Sequence, residues 1–206
     1  MHTLHANMQG VHASSQLLPL LRSPFQGELL AWLFLHPDEE YSATELATRF
    51  GVSQPTASRE ADRLAQAGFI QERRKGNLRL LRAKTDTLVA RPLTELLAVT
   101  YGPTAVIGEF LAGVGGIDEV YIYGSWAARY RGEAGPVPRD VDVLVVGDAD
   151  EDELHDAARA AERRLGREVN ISRVSPAAWR RPDGDPFLDS VRSRPIVPLD
   201  IPGEEK

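Results

Sequence analysis

The chain has 206 residues and 42% hydrophobic content, enough for one large domain or two small ones of an ordinary globular protein. It has no cysteine, which excludes disulfides, zinc-thiolate sites and thiol catalysis and suits a cytoplasmic location. The net charge of −6 argues against a uniformly basic nucleic-acid binder, and the five histidines show no paired metal-ligand spacing.

Residues 1–22 read as a tail. Its QLLPLLR stretch is too short to span a bilayer, and the tail lacks the basic start and cleavage site of a secretory signal, so no membrane association is expected. Leu17–Leu21 is a candidate contact with the first domain or with a second subunit. Phe25–Leu35 (FQGELLAWLFL) is apolar at helical spacing and stops at Pro37. Ser42, with Glu45 three residues on, makes a capping box for a helix to Phe50. Gly51-Val52 is a tight turn, Ser53 caps the next helix with Pro55 in its first turn, and Gly68 ends that helix. Phe69–Arg74, the Gly76-Asn77 turn and Leu78–Ala83 form a basic hairpin.

In its caps, turn and hairpin, the stretch 23–84 resembles the winged helix-turn-helix of bacterial transcription regulators. Between Arg49 and Lys84 nine basic residues face three acidic ones (Glu60, Asp62, Glu72), a local charge of +6 inside a chain of net −6. Phosphate contacts dominate non-specific DNA affinity, so this surplus suits double-stranded DNA. Gln54, Thr56, Ser58 and Arg59 open the second helix and are expected in the major groove. Arg73, Lys75 and Arg79 on the hairpin are expected on the backbone or in the minor groove. The competing reading is a winged helix that contacts protein, with solvated basic side chains. Many such regulators are dimers, which leaves a homodimer open; no coiled-coil seam is legible.

Residues 85–102 read as a linker that becomes helical over Pro92–Thr100, and residues 103–206 as a second domain. An apolar helix, Thr104–Leu111, stops at Gly113, Gly115 and Gly116. No strand leads into GVGG, so it is a helix stop rather than a phosphate loop. Val120–Tyr123 is a short strand followed at once by Gly124-Ser125. Val141–Val146 is apolar enough for a strand buried on both faces. Asp140 and Asp142 stand at its mouth, two apart and therefore on one face. Like charges so placed repel, and a divalent cation resolves the conflict, since Mg²⁺ is held by one or two carboxylates plus phosphates. Gly124 allows close approach to a phosphate, Ser125 opens a helix, and Arg129 lies one turn on along the same face. Taken singly, the Gly-Ser turn and the Asp-x-Asp pair are ordinary structural features; together they read as a site. Asp150–Leu165 is an amphipathic helix closed by Gly166, and Glu168–Val174 is the next strand. Ser175-Pro176 caps a short helix whose Trp179 reads as a packing residue. Asp185–Arg194 forms a last helix before a frayed end.

Gly124-Ser125 followed by Asp140-x-Asp142 on an apolar strand resembles the signature of the polymerase-β-type nucleotidyltransferases, particularly their minimal members. The resemblance covers the C-terminal half of the chain. It implies that Ser125 holds a triphosphate, that Asp140 and Asp142 bind Mg²⁺ or Mn²⁺, and that a nucleoside monophosphate passes from a nucleoside triphosphate to an acceptor hydroxyl. Two features depart from the family. Gly132–Pro138 lengthens the loop between turn and strand. Asn170 stands where the family carries its third carboxylate, with Glu168, two positions earlier, as the candidate replacement; without it, binding without turnover follows.

The expected fold is therefore α+β: an N-terminal winged helix-turn-helix plus a small C-terminal α/β mixed-sheet domain, nucleotidyltransferase-like. Two functions follow from different classes. One is a DNA-bound, metal-dependent nucleotidyltransferase using Asp140, Asp142 and Glu168. The other is a transcription regulator whose degenerate C-terminal domain binds nucleotide or a partner without catalysis.

Overall fold

The computed structural model describes residues 21–182 and 184–201. The contact expected of Leu17–Leu21 lies outside the described residues except for Leu21, which packs on the N-terminal core; the expected frayed end beyond 201 lies outside them too. Helix α1 (Pro24–Leu35) starts at Ser23, whose side chain accepts the Gln26 N–H, with Pro24 at its first position. Every residue from Leu29 to Leu35 is buried, so α1 is enclosed all round instead of along one stripe. Leu29–Phe34 belong to the N-terminal core and Leu35 to the C-terminal core.

Helix α2 (Ala43–Phe50) carries the complete capping box: Ser42 Oγ accepts the Glu45 N–H, and the Glu45 carboxylate accepts the Ser42 N–H at 2.7 Å. Ser53 caps α3 (Gln54–Gln66), its side chain accepting the Thr56 N–H. Strands β2 (Ile70–Lys75) and β3 (Leu78–Ala83) form the hairpin, and β1 (Tyr41–Ser42) pairs with the other edge of β3. Ser42 thus serves as both strand residue and helix cap, a double role that cap chemistry alone does not reveal. Helix α4 (Ala90–Tyr101), expected as a linker that becomes helical over Pro92–Thr100, lies along α1 with Ala90 and Leu97 in the N-terminal core. Helix α5 (Pro103–Leu111) then enters the C-terminal core through Val106, Ile107 and Leu111.

The second sheet has the order β6-β5-β4-β7, with β4 (Ile117–Tyr123), β5 (Asp140–Gly147), β6 (Glu168–Val174) and β7 (Val197–Pro198). Strand β5 runs antiparallel to β4 and parallel to β6; α7 (Glu151–Leu165) makes the crossover between β5 and β6. Strand β7 adds antiparallel to β4 through two residues too short to be read from sequence. Val141, Val143 and Val145 join the core built on α5 and α7. Leu144 and Val146 point the other way, against Trp179 of α8 (Pro176–Arg180) and Leu188 and Val191 of α9 (Pro186–Arg192). Strand β5 is therefore buried on both faces, and Trp179 is a packing residue with Arg192 stacked 4.4 Å from its ring centroid.

The two halves meet where the C-terminus of α7 abuts α1. Gly166, left-handed at φ +65°, lies against the Trp32 ring, where a β-carbon would collide. Arg49 stacks on the same ring, 3.1 Å from its centroid, and donates to the carbonyls of Arg163 and Arg164 at 3.0 and 3.2 Å. A cation on the free carbonyls of a helix C-terminus is electrostatically favourable. Arg167 donates to the carbonyls of Leu35 and, at 2.5 Å, Pro138.

Candidate functional site

The winged helix sorts its polar residues into two groups. Helix α3 buries Ala57, Ala61 and Leu64 together with Glu60, whose carboxylate accepts from Gln26 at 2.7 Å and Arg63 at 3.1 Å. The opposite side leaves Gln54 and Arg59 exposed and Ser58 half-buried. Thr56 is half-buried with its hydroxyl 2.8 Å from Ser53 Oγ, so it belongs to the helix cap rather than to the outward face expected of it. On the hairpin, Arg73 is bound by Glu40 through both ends of its guanidinium, one of them at 2.9 Å, and this holds the Glu40 carboxyl below its usual range. Arg79 is held by Glu72 and, at 2.6 Å, by Asp62 of α3. That second pair ties β3 to α3. Arg73 and Arg79, both expected on DNA, are thus engaged within the protein. Arg59, Arg74 and Lys75 are exposed and make no ion pair among the described residues. Arg74, a member of the basic surplus but not a sequence-predicted contact, joins the free set.

The second cluster stands at the start of β5. Asp140 is in register with Glu168 and Asp142 with Asn170 on the parallel side, while Tyr123 is opposite Asp142 on the antiparallel side. Asp140 is exposed and Asp142 half-buried. Burial first, then the charge of Asp140, raises the Asp142 carboxyl above its ordinary range; Glu168 adds to the rise, and a hydrogen bond from Asn170 works against it. Gly124 is left-handed at φ +68°, and a β-carbon on it would lie 2.6 Å from Asp142 Oδ2. Glycine is required there twice over, by conformation and by space. Ser125, next in the chain, is exposed. The structure therefore brings the Gly-Ser turn and the Asp pair to one place.

One sequence-predicted member stands apart. Arg129, in α6 (Gly124–Tyr130), donates to the Glu133 carbonyl and lies against Gly135, so it is committed to the inserted loop rather than to the anion site with Ser125. Helical spacing put the two on one face, but the loop supplies the nearer acceptor. Glu168 stands beside the Asp pair without completing a set: among the described residues no three His, Cys, Asp or Glu side chains are grouped to hold a metal ion. The acid pair itself fits one hard divalent cation whose remaining ligands come from phosphate and water. Sequence reasoning missed Tyr123 and Phe187, whose rings meet edge to face at 5.9 Å beside Asp142. Adjacency to Gly124 could have flagged Tyr123; nothing local flags Phe187.

The class that the structure defines is a winged-helix fold joined to a second α/β domain with an acidic turn on its mixed sheet. Residues 23–79 match the model of the MarR family, which accounts for the winged helix and stops before the mixed sheet. Similar solved structures include reduced HlyU from Vibrio cholerae N16961, 23% identical, covering 42% of this chain and 86% of that one with a TM-score of 0.35. The transcriptional repressor BigR from Xylella fastidiosa is 26% identical, with 40% and 78% covered and a TM-score of 0.34. The transcriptional regulator BldR from Sulfolobus solfataricus is 19% identical, with 48% and 68% covered and a TM-score of 0.36. No curated protein matches the chain. Among the described residues no helix is long and apolar enough to cross a membrane.

Proposed function

We propose that the protein is a cytoplasmic winged-helix regulator of transcription whose C-terminal domain binds a nucleoside triphosphate with a divalent cation and does not turn it over. The MarR-family match and the free cations Arg59, Arg74 and Lys75 support the DNA-binding part. In this reading α3 lies in the major groove, and a second copy of the chain occupies the other half-site. The observation that carries the nucleotide part is the half-buried Asp142 carboxylate, raised in pKa, packed against a left-handed glycine and set beside a second carboxylate. Asp140 and Asp142 would hold the cation, which when bound neutralises the phosphates; Ser125 would donate to a phosphate oxygen. Asn170, in register with Asp142 and unable to act as a base, supports the reading without turnover.

The transferase reading keeps one observation in its favour, the register of Glu168 opposite Asp140. Calorimetric titration of the four nucleoside triphosphates with Mg²⁺ into wild type and Asp140→Asn/Asp142→Asn, with pyrophosphate followed with and without DNA, separates the two. Metal-dependent binding that the double variant loses, without pyrophosphate, is expected. Pyrophosphate release abolished by Glu168→Gln would establish the transferase instead, and absence of binding would remove nucleotide from the account.

A further inference from the structure

The acid pair occupies one end of a longer strip on the mixed sheet. Residues opposite one another on neighbouring strands share a face, so Tyr123, Asp142 and Asn170 point to the side that carries Leu144 and Val146. Helix α9 covers that side further along through Leu188 and Val191, both buried. Its first turn brings Phe187 to Tyr123, the two rings edge to face with centroids 5.9 Å apart. Burial raises the Tyr123 hydroxyl above its ordinary range, a hydrogen bond with Ser172 works against the rise, and the charge of Asp142 adds to it. Tyr123 is thus a neutral spacer between the carboxylate and Phe187.

Phe187 stands outside the buried cluster. Leu188, its neighbour, is 1% exposed, whereas Phe187 keeps 38% of its surface open. Tyr123 is its one aromatic partner among the described residues. Opposed β-carbons on paired strands lie about 5 Å apart, so the exposed ring stands on the order of 10 Å from the Asp142 carboxylate. That is the reach of a nucleoside triphosphate from its metal-bound phosphates to its base.

We infer that the open surface of Phe187 stacks a nucleobase, and that the nucleotide of the acidic site is a purine nucleoside triphosphate. The inference rests on the nucleotide reading proposed above and names its substrate class. Every base has a π-face that an aromatic side chain can cover, and the gain grows with the area stacked. The two-ring purines therefore gain most. The phosphates, held by the cation and Ser125, do not depend on Phe187.

The test is calorimetric titration of the full chain, in Mg²⁺, with ATP, GTP, CTP, UTP and ribose 5′-triphosphate, which carries the sugar and phosphates without a base. Wild type should bind ATP and GTP more tightly than CTP and UTP, and ribose 5′-triphosphate most weakly. Phe187→Ala should weaken ATP and GTP about tenfold, the scale of one stacked base, and leave ribose 5′-triphosphate unchanged. Phe187→Leu, which keeps an apolar contact with Tyr123, should lose nearly as much, and Phe187→Trp should retain the binding of purines. Thermal unfolding close to that of wild type shows that the variants fold. Equal weakening of ATP and ribose 5′-triphosphate in Phe187→Leu would make Phe187 a packing residue, and unchanged ATP affinity would remove it from the site. Either result overturns the inference while the nucleotide reading stands. Pyrimidine nucleotides bound as tightly as purines would overturn the substrate class. Failure of wild type to bind both ATP and ribose 5′-triphosphate would sink the nucleotide reading itself, and the inference with it.

Discussion

The winged helix and the mixed sheet treat charge in opposite ways. On the hairpin, Arg73 and Arg79 are neutralised by Glu40, Glu72 and Asp62, and they serve to brace the wing. On the sheet, Asp140 and Asp142 face each other with Glu168 alongside, and no cation is paired to them among the described residues. A charge answered inside the fold is structural. A charge left unanswered costs stability where it is partly buried, as at Asp142, and where it is exposed it stays solvated and open to a partner from outside the chain. By that criterion the groups open to outside partners include Arg59, Arg74 and Lys75 on one region and the Asp pair on the other, the residues of the function proposed above.

The largest expected effect is at Asp142. Asp142→Asn should weaken Mg²⁺-nucleotide binding by at least about a hundredfold, the upper end of what an outer-shell partner alone costs. The same variant should unfold at a higher temperature than wild type at neutral pH, because it removes an uncompensated charge. Lower stability instead would mean that the carboxylate is structurally satisfied, and the contrast between the regions would fail.

The pH dependence sharpens the same point. Asp142 is raised in the folded chain, so it binds its proton more tightly than in the unfolded chain, where the ordinary value is 3.8. Its contribution is fully present below that value and is lost as pH rises through the folded value. His36 behaves in the opposite sense. Burial first, and then Arg167, lowers it from the ordinary 6.5, and its Nδ1 is 2.7 Å from the Trp32 carbonyl. Its contribution is present above 6.5 and is lost as pH falls through the lowered folded value. Thermal unfolding against pH should show Asp142→Asn flattening the first limb and His36→Phe the second. Either variant leaving its limb unchanged would remove that group from the account.

The smallest effect belongs to the braces. Asp62→Asn should cost at most about 1 kcal/mol by denaturant unfolding, since a partly exposed ion pair contributes no more than that. A larger loss would show that the wing depends on this pair for its place.

Elements governed by local chemistry were legible in the sequence. Ser42, Ser53 and Gly51 mark helix ends through hydrogen bonds and dihedral angles within a few residues, so α2, α3 and the turn between them could be read directly. The same holds for Asp140 and Asp142, whose shared face follows from the two-residue repeat of a strand. What escaped depends on distant partners. Glu40 reaches Arg73 across the sheet, Asp62 reaches Arg79 from another element, and Phe187 reaches Tyr123 from a helix far along the chain. Arg129 is the instructive miss. Its helical spacing to Ser125 was read correctly, but a long side chain follows the nearest acceptor, and the inserted loop provides one.

The most direct test of this account is the salt dependence of DNA binding for two double variants, measured by fluorescence anisotropy on one duplex. Arg59→Ala/Lys75→Ala should weaken binding and flatten the logarithmic salt slope by about 2, roughly one unit for each phosphate that the variant no longer neutralises. Arg73→Ala/Arg79→Ala should leave the slope close to that of wild type, because those cations are already answered within the fold. Equal flattening by both pairs would contradict the division between bracing and working charges, and an unchanged slope in the first pair would contradict DNA binding through this surface.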